Sequence, residues 1–92
     1  MRFVSIDLET ANPNFSSICQ IGLVRFDQGI EVSSEKVYVD PEDYFDPRNT
    51  RIHGISEGDI KDSRNLESYM TGWQTGFPVN MWFLILPLIE LR

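Results

Sequence analysis

The feature that most constrains the fold is a pair of strand-like segments separated by only two residues. Residues 18–27, ICQIGLVRFD, and residues 30–40, IEVSSEKVYVD, are rich in β-branched and aromatic side chains. The residues DQG at 27–29 are typical of a tight turn. Strands joined so closely pair antiparallel, because a parallel pair needs a crossover of about a dozen residues or more. The sequence therefore predicts a β-hairpin.

The segments on either side of this hairpin predict a third strand and a helical region. Residues 2–9, RFVSIDLE, are predicted to form a buried strand, followed by the loop ANPNFSS at 11–17. Residues 41–49, PEDYFDPRN, contain two prolines and are predicted to be a connection. Ser56 and Asp59 resemble a capping box that starts helical structure. The expected order is three antiparallel strands, one or two helices and an apolar C-terminal segment.

A single apolar stripe marks the helix predicted after residue 64. Its members recur at the helical spacing i, i+3, i+4 and i+7, and they are Leu66, Tyr69, Met70 and Trp73. A stripe of this kind is typical of core packing. Cys19 lies in the apolar run ICQIGLV and is likewise expected to be a small buried residue. Gln20, a polar residue in the same strand, is expected to satisfy a buried backbone group.

Length and charge limit the functions that the chain can have. Its 92 residues are enough for one small domain. The net charge of -6 argues against wide electrostatic adhesion to nucleic acid or to an anionic membrane. It does not exclude a nucleic-acid enzyme, since bound metal ions cancel the charge of an acidic site. The apolar run MWFLILPLIEL is shorter than the roughly 20 residues of a membrane span, so a cytoplasmic protein is expected.

Two acids, Asp7 and Glu9, stand at alternate positions at the end of the first predicted strand. Residues i and i+2 of a strand share a face, with Cα atoms about 6.6–6.8 Å apart. Two unpaired carboxylates on one face repel each other, and a divalent cation removes that cost. Hard ions such as Mg²⁺ or Mn²⁺ prefer carboxylate oxygen. The alternative is that one acid faces solvent or pairs with Arg2 or Arg25 and binds nothing.

Three segments in order resemble the first part of the DEDDh family of 3′–5′ exonucleases, and most closely its members of the DNA polymerase III epsilon type. They are VSIDLETAN, SICQIGLVRFDQG and RIHGIS. The resemblance covers about residues 2–75. It implies an RNase H-like α/β fold and metal-dependent hydrolysis of phosphodiester bonds at a nucleic-acid 3′ end. It also implies DNA rather than RNA as the favoured substrate, and a polymerase subunit as a partner to be considered.

The resemblance also assigns roles to four residues. Asp7 and Glu9 would be catalytic ligands of a two-metal site holding Mg²⁺ or Mn²⁺. Thr10 would lie beside the terminal nucleotide and offer its backbone N–H, and His53 would contact the same nucleotide. The alternative for His53 is a loop histidine that holds the turn before the helix. Epsilon-type members carry an acid where this chain has Arg48, which puts sugar recognition at that position in doubt.

The later motifs of that family, which supply two more acidic ligands and a general-base histidine, do not occur in this sequence. We therefore expect a single incomplete exonuclease domain over residues 1–92, family-like over 1–76 and divergent over 77–92, with little activity. The tail NMWFLILPLIELR, read from the third base of permissible codons, can become HVVSHTPFDRAA, which matches a second-motif pattern. This indicates a frameshift between about residues 77 and 80. The alternative is a genuine core strand with a frayed end; left uncovered, it would favour self-association.

Two other functions remain open from the sequence. One is a non-catalytic module that binds nucleotide or protein on the same scaffold, and the other is a small structural domain in which Asp7 and Glu9 bind nothing. Stabilisation by metal separates the structural domain, which should show none, from the exonuclease and the binding module.

Overall fold

The computed structural model describes residues 1–71, which form a three-stranded sheet followed by two short helices. The strands are β1 (Arg2–Thr10), β2 (Ile18–Asp27) and β3 (Ile30–Tyr38), and the helices are α1 (Pro47–His53) and α2 (Leu66–Thr71). The strand order is β1-β2-β3, and both pairs are antiparallel. This arrangement confirms the predicted fold class, the N-terminal part of an α/β RNase H-like fold. Trp73 and the predicted strand in the apolar tail lie outside the described residues.

The turn of the hairpin explains why β2 and β3 pair so closely. Gln28 and Gly29 both have positive φ, 53° and 79°, and Asp27 is paired with Ile30 across them. A two-residue turn with two positive φ angles matches the right-handed twist of its flanking strands. Glycine takes such a φ without strain because it has no Cβ atom. The predicted hairpin is confirmed, with its turn at residues 28 and 29.

One face of the sheet, here called the core face, carries the larger hydrophobic cluster. It contains the buried residues Ile21, Leu23, Val39 and Tyr69. Tyr69 belongs to α2, and its hydroxyl group donates a hydrogen bond of 2.9 Å to the carbonyl oxygen of Tyr38. Leu66 packs against the same cluster. Helix α2 is therefore held on the core face by two members of the predicted stripe, whereas Met70 is 53% exposed and was wrongly placed in the core.

Strand β1 is much less buried than its sequence predicts. Ile6 and Leu8 do lie on the core face, opposite Leu23 and Ile21, but they are 54% and 48% exposed. Within the part of the chain that the structure describes, β1 is hydrogen-bonded to one neighbour only, and the buried residue of α2 packs against β2. The prediction of a buried β1 was wrong for these residues because burial of an edge strand depends on elements that come from elsewhere in the chain.

The second cluster lies where the loop after β1 meets the region of α1. Its buried members are Ala11, Cys19, Ile55 and Ile60, with Phe45 packed against them. Cys19 is fully buried, as expected from its apolar surroundings. It is also the residue of β2 that has no partner in β1, because the register shifts there: Glu9 pairs with Gln20 and Thr10 pairs with Ile18. Such a β-bulge bends the strand and is found next to functional sites more often than elsewhere.

Helix α1 was not predicted, because the two prolines of residues 41–49 indicated a connection. The structure shows that Asp46 is the N-cap and that Pro47 is the first helical residue. Proline fits that position because its missing N–H would have no intrahelical partner there. The expected helix start at Ser56 is absent from the described residues: Ser56 and Asp59 do form the capping hydrogen bond, at 2.9 Å, but within a turn. The helical structure therefore begins earlier than predicted.

Two glycines should respond oppositely to alanine. Gly54 ends α1 with φ of 77°, where a Cβ atom is strained, so Gly54→Ala should lower the free energy of unfolding by about 1–2 kcal/mol. Gly22 lies within β2, and an added Cβ atom would meet its neighbours at 3.6–3.8 Å, an ordinary contact distance. Gly22→Ala should leave stability unchanged or raise it by about 0.5–1 kcal/mol. Urea denaturation of the two variants checks this, and equal losses would contradict it.

None of the helices among residues 1–71 has the length and apolar character needed to cross a membrane.

Candidate metal centre and active site

The paired acids lie together on the face of the sheet opposite the core face. Asp7 and Glu9 are paired in unbroken register with Gly22 and Gln20, so both side chains extend from the same face of β1. We call this face the open face, defined by Asp7, Glu9, Gln20, Gly22, Lys36 and Tyr38. Asp7 is exposed and Glu9 is half-buried. The strand geometry thus directs two carboxylates into one region of solvent.

Neither acid is neutralised by a cation within residues 1–71. The ion pairs found there join Arg2 to Asp27 at 3.7 Å and Arg48 to Asp46 at 3.0 Å. Arg25, the other candidate partner, is opposite Val4 and so extends from the core face, away from Asp7. The two carboxylates are therefore available to a solvent cation. Among the described residues no group of three or more potential ligands is present, so these two acids form a partial donor set.

The β-bulge brings the thiol of Cys19 under the influence of Glu9. Burial, and next the negative charge of Glu9, raise the pKa of the Cys19 thiol above its ordinary value. A thiol that stays protonated is neither a good nucleophile nor a good metal ligand. Cys19 is thus a packing residue beneath the site, and the carboxylates are the groups with metal-binding chemistry here.

Thr10, the residue after the acidic pair, is fixed by side chains from α1. His53 donates through Nε2 to the Thr10 carbonyl oxygen at 2.8 Å, while its Nδ1 accepts from the N–H of Ile55 at 3.0 Å. The second bond sets the tautomer, since an Nδ1 atom that accepts leaves the proton on Nε2. Asn49 also donates to Thr10, at 3.2 Å to the carbonyl oxygen and 3.4 Å to Oγ1. These bonds anchor the end of β1 directly after Glu9.

Asn49 was missed by the sequence analysis. It precedes His53 by four residues on α1, so the two side chains lie on the same face of that helix. The signal was present in the sequence as Asp46 followed by Pro47, an N-cap followed by a residue suited to the first helical position. Recognition of that helix start would have placed Asn49 beside His53.

The loop between β1 and β2 holds α1 in place against the strand end. Asn12 is 1% exposed, and its side-chain amide donates to the carbonyl oxygen of Tyr44 at 2.9 Å. Ser17, also buried, accepts from the N–H of Asn12 at 3.1 Å. The N–H of Asp46 donates to the carbonyl oxygen of Ala11 at 2.8 Å. The loop and the entry to α1 are therefore one hydrogen-bonded unit beside Thr10.

The ion pair between Asp46 and Arg48 makes the stability of this unit depend on pH. Hydrogen bonds from the Arg48 side chain, and next from its backbone N–H, hold the pKa of Asp46 below its ordinary value. A carboxyl whose pKa is lower in the folded state stabilises the folded state. This contribution is fully present above the unfolded-state pKa of about 3.9 and is lost as the pH falls through the folded-state pKa.

Asp46→Asn should therefore be less stable than the parent chain at pH 6, and the difference should shrink as the pH is lowered from 6 towards 2, through the folded-state pKa of Asp46. Asparagine keeps the N-cap hydrogen bond, so the comparison isolates the charge. Urea denaturation between these pH values measures the difference, and a gap that stays constant with pH would contradict the assignment. Asp43→Asn removes an exposed carboxylate from the same connection and is the matched control.

The comparison with protein families decides what this site belongs to. Residues 4–82 match the model of the exonuclease family RNase T, which covers most of the chain. The chain belongs to this exonuclease family. No curated protein matches the chain significantly. Membership implies a nuclease of the RNase H-like superfamily acting on nucleic acid, and such exonucleases generally use divalent metal ions.

The donor set of the exonuclease chain fits such an ion. Carboxylate oxygens are the ligands that small, hard divalent cations prefer, and Asp7 and Glu9 supply them from one strand face with no competing arginine in the described region. When bound, a divalent ion supplies positive charge that polarises a phosphoryl oxygen and lowers the pKa of water. The chain's own contribution is to hold the two carboxylates at a strand end that Asn49 and His53 of α1 anchor through hydrogen bonds to Thr10.

Proposed function

We propose that the chain is the first part of a DEDDh-type 3′–5′ exonuclease, related to the epsilon type, whose substrate is a DNA 3′ end. The observation that supports this most directly is the placement of Asp7 and Glu9 side by side at the end of β1, inside the family match. In this proposal the two carboxylates hold Mg²⁺ or Mn²⁺, and the reaction releases nucleoside monophosphates. A polymerase subunit is the partner to test.

The roles proposed for Thr10 and His53 follow from their contacts. The Thr10 carbonyl oxygen accepts from both His53 and Asn49, so the strand end that carries Glu9 is held from two sides. His53 uses both ring nitrogens within the chain, which leaves its carbon edge and ring face for contact with a nucleotide. We propose that Thr10 binds the terminal nucleotide and that His53 both contacts it and positions Thr10.

We also propose that the 92-residue polypeptide has little activity by itself. Two carboxylates supply half of the four acidic ligands that the DEDDh resemblance requires, and too few ligands leave a metal pair without a fixed geometry. The frameshift hypothesis accounts for the missing motifs, with the shift between about residues 77 and 80.

A nuclease assay tests the function on a single-stranded DNA labelled at its 5′ end. With Mn²⁺, the 92-residue chain should give no more than a trace of stepwise shortening from the 3′ end. A version with the reading frame shifted at residues 77–80 and extended through the downstream gene should release mononucleotides rapidly, and its Asp7→Asn variant should not. If the downstream sequence contains no further exonuclease motif in any frame, the frameshift hypothesis is wrong.

The runner-up function is a non-catalytic module that binds nucleotide or protein on the same scaffold, and its nucleic-acid form is the one tested by the assay above. The exposed open face beside the acids is the observation that favours it. The same assay separates the two functions, since the extended chain would then bind the DNA and leave its length unchanged.

A further inference from the structure

The open face continues beyond the acids to two side chains that have no role in the proposed metal site. Lys36 is paired with Gly22, which is itself paired with Asp7, so these three positions form a row across β3, β2 and β1. Tyr38 is paired with Gln20 in the same way, one row nearer to Thr10. Lysine and tyrosine therefore stand two strands away from the two carboxylates, on the same surface.

Gly22 keeps the surface low between Asp7 and Lys36. A Cβ atom placed there would contact the Lys36 side chain at 3.7 Å and the Asp7 side chain at 3.8 Å. Both side chains therefore border the glycine, which carries only a hydrogen atom where another residue would carry a side chain. The result is a shallow depression whose lining includes Asp7, Gly22, Ser34 and Lys36. Asp7 borders it on the β1 side and Lys36 on the β3 side, and Glu35, next to Lys36 in β3, also belongs to its lining.

Both residues are exposed, and their side chains are available. Tyr38 is 40% exposed and Lys36 is exposed. Among the described residues Lys36 has no ion pair, although Asp7 lies across the depression. The hydrogen bond recorded at Tyr38 uses its backbone carbonyl oxygen and leaves the ring and hydroxyl group out. Helix α2, whose residue Tyr69 lies in the core cluster, packs on the opposite face of the sheet.

We propose that Lys36 and Tyr38 form a binding subsite for the single strand that leads to the 3′ end, with a phosphate on Lys36 and a base stacked on Tyr38. This inference rests on the proposed function, which places the strand's 3′ end at Asp7 and Glu9. The Cα atoms of Asp7 and Lys36 are two strand spacings apart, about 9.4–9.8 Å, which a short stretch of extended strand can cross.

Charge complementarity selects this occupant. A chain with net charge -6 repels a polyanion, and the repulsion is strongest beside two carboxylates. A cation two strands away offers the next phosphate an attractive contact where the metal's influence is screened by solvent. An aromatic ring two residues from that cation adds a stacking surface that any base can use. A lysine and a tyrosine at alternate positions of one strand supply both contacts without sequence preference.

The test measures binding of a hexathymidylate strand to the full chain by fluorescence anisotropy, with and without Mn²⁺. Lys36→Met should weaken binding at least fivefold and reduce the slope of log K against log salt by about 0.7, the value for one phosphate on a single strand. Tyr38→Ala should weaken binding about fivefold or more with an unchanged slope. Lys61→Met and Tyr44→Ala remove the same side-chain types from exposed sites off the open face and should bind as the parent does.

Three results overturn the proposal: no measurable binding by the parent chain, equal binding by the Lys36 and Tyr38 variants and their controls, or an unchanged salt slope in Lys36→Met. Photocrosslinking of the parent chain to a strand containing 5-iodouracil gives a readout that needs no variant, and an adduct that excludes Tyr38 also counts against it. Stabilisation by Mn²⁺ is measured on the same samples. If Mn²⁺ does not stabilise the chain, the proposed function is contradicted. If Mn²⁺ stabilises the chain but both variants bind the strand as the parent does, only the subsite proposal is contradicted.

Discussion

Replacing Asp7 with asparagine should abolish the stabilisation that Mn²⁺ gives to the chain. A ligand that binds only the folded state at ten times its Kd adds about 1.4 kcal/mol to the free energy of unfolding. For a domain of this size, each kcal/mol raises Tm by about 4–8 °C. The parent chain should therefore gain about 6–11 °C on titration with Mn²⁺, and Asp7→Asn and Glu9→Gln should each gain almost nothing.

Without metal, the same substitutions should not lower the free energy of unfolding. Asp7 and Glu9 are like charges on one strand face with no cationic partner in the described region, so removal of one charge relieves repulsion. Asp7→Asn should be as stable as the parent, or slightly more stable, in the presence of a chelator. Glu31→Gln, which removes an exposed acid from β3, is the matched control and should keep the full gain with Mn²⁺. Retention of that gain by Asp7→Asn would place the metal elsewhere.

The second large effect is expected at His53. His53→Ala removes the donor to the Thr10 carbonyl oxygen and leaves the N–H of Ile55, a buried residue, without its acceptor. A buried polar group left unpaired costs about 1–3 kcal/mol, so we expect a loss of about 2–3 kcal/mol in the free energy of unfolding. That is a large share of the stability of a small domain, commonly about 5–15 kcal/mol. Urea denaturation at constant pH measures it.

Two amide variants divide this effect between its two hydrogen bonds. In His53→Asn the side-chain oxygen replaces Nδ1 and keeps the bond from Ile55, whereas in His53→Gln the amide nitrogen replaces Nε2 and keeps the bond to Thr10. Each should recover part of the loss. Loss of the hydrogen bonds to Thr10 should also lower the affinity for Mn²⁺, because Thr10 follows Glu9, and Asn49→Ala should lower it in either background by removing the other donor to Thr10. Ile52→Ala, at an 85% exposed position of α1, should change neither quantity. Equal stability of all these variants would show that the contacts with Thr10 are energetically unimportant.

The local part of the fold was readable because it depends on neighbours in the sequence. The hairpin follows from two strand-like runs with a two-residue turn between them, and no distant contact is needed to specify it. The position of Asp7 and Glu9 on one face follows from the alternation of a strand. Burial of Cys19 also follows from its apolar run. These features were predicted, and the structure has them.

The misplaced elements are those in which a local pattern was judged without its surroundings. Pro47 indicated a connection by composition, but Asp46 caps a helix that starts there, and a hydrogen bond to the backbone of Ala11 holds that start in place. Ser56 and Asp59 form their capping hydrogen bond without a following helix, because one local hydrogen bond does not offset the unfavourable free energy of helix nucleation. Met70 matches the helical spacing but is 53% exposed, and the residues of α2 that pack in the cluster on the core face are Leu66 and Tyr69.

The sequence by itself determined that two carboxylates share a strand face, because the period of a β-strand is a property of the backbone. Only the tertiary structure decided what surrounds them: Asn49 and His53 on Thr10, the bulge at Cys19, and the row from Asp7 through Gly22 to Lys36. Those contacts join residues between 7 and 53, which lie far apart along the chain, so that no single local pattern contains both partners. Pairing and packing bring such residues together, and the register of the strands then determines which side chains meet.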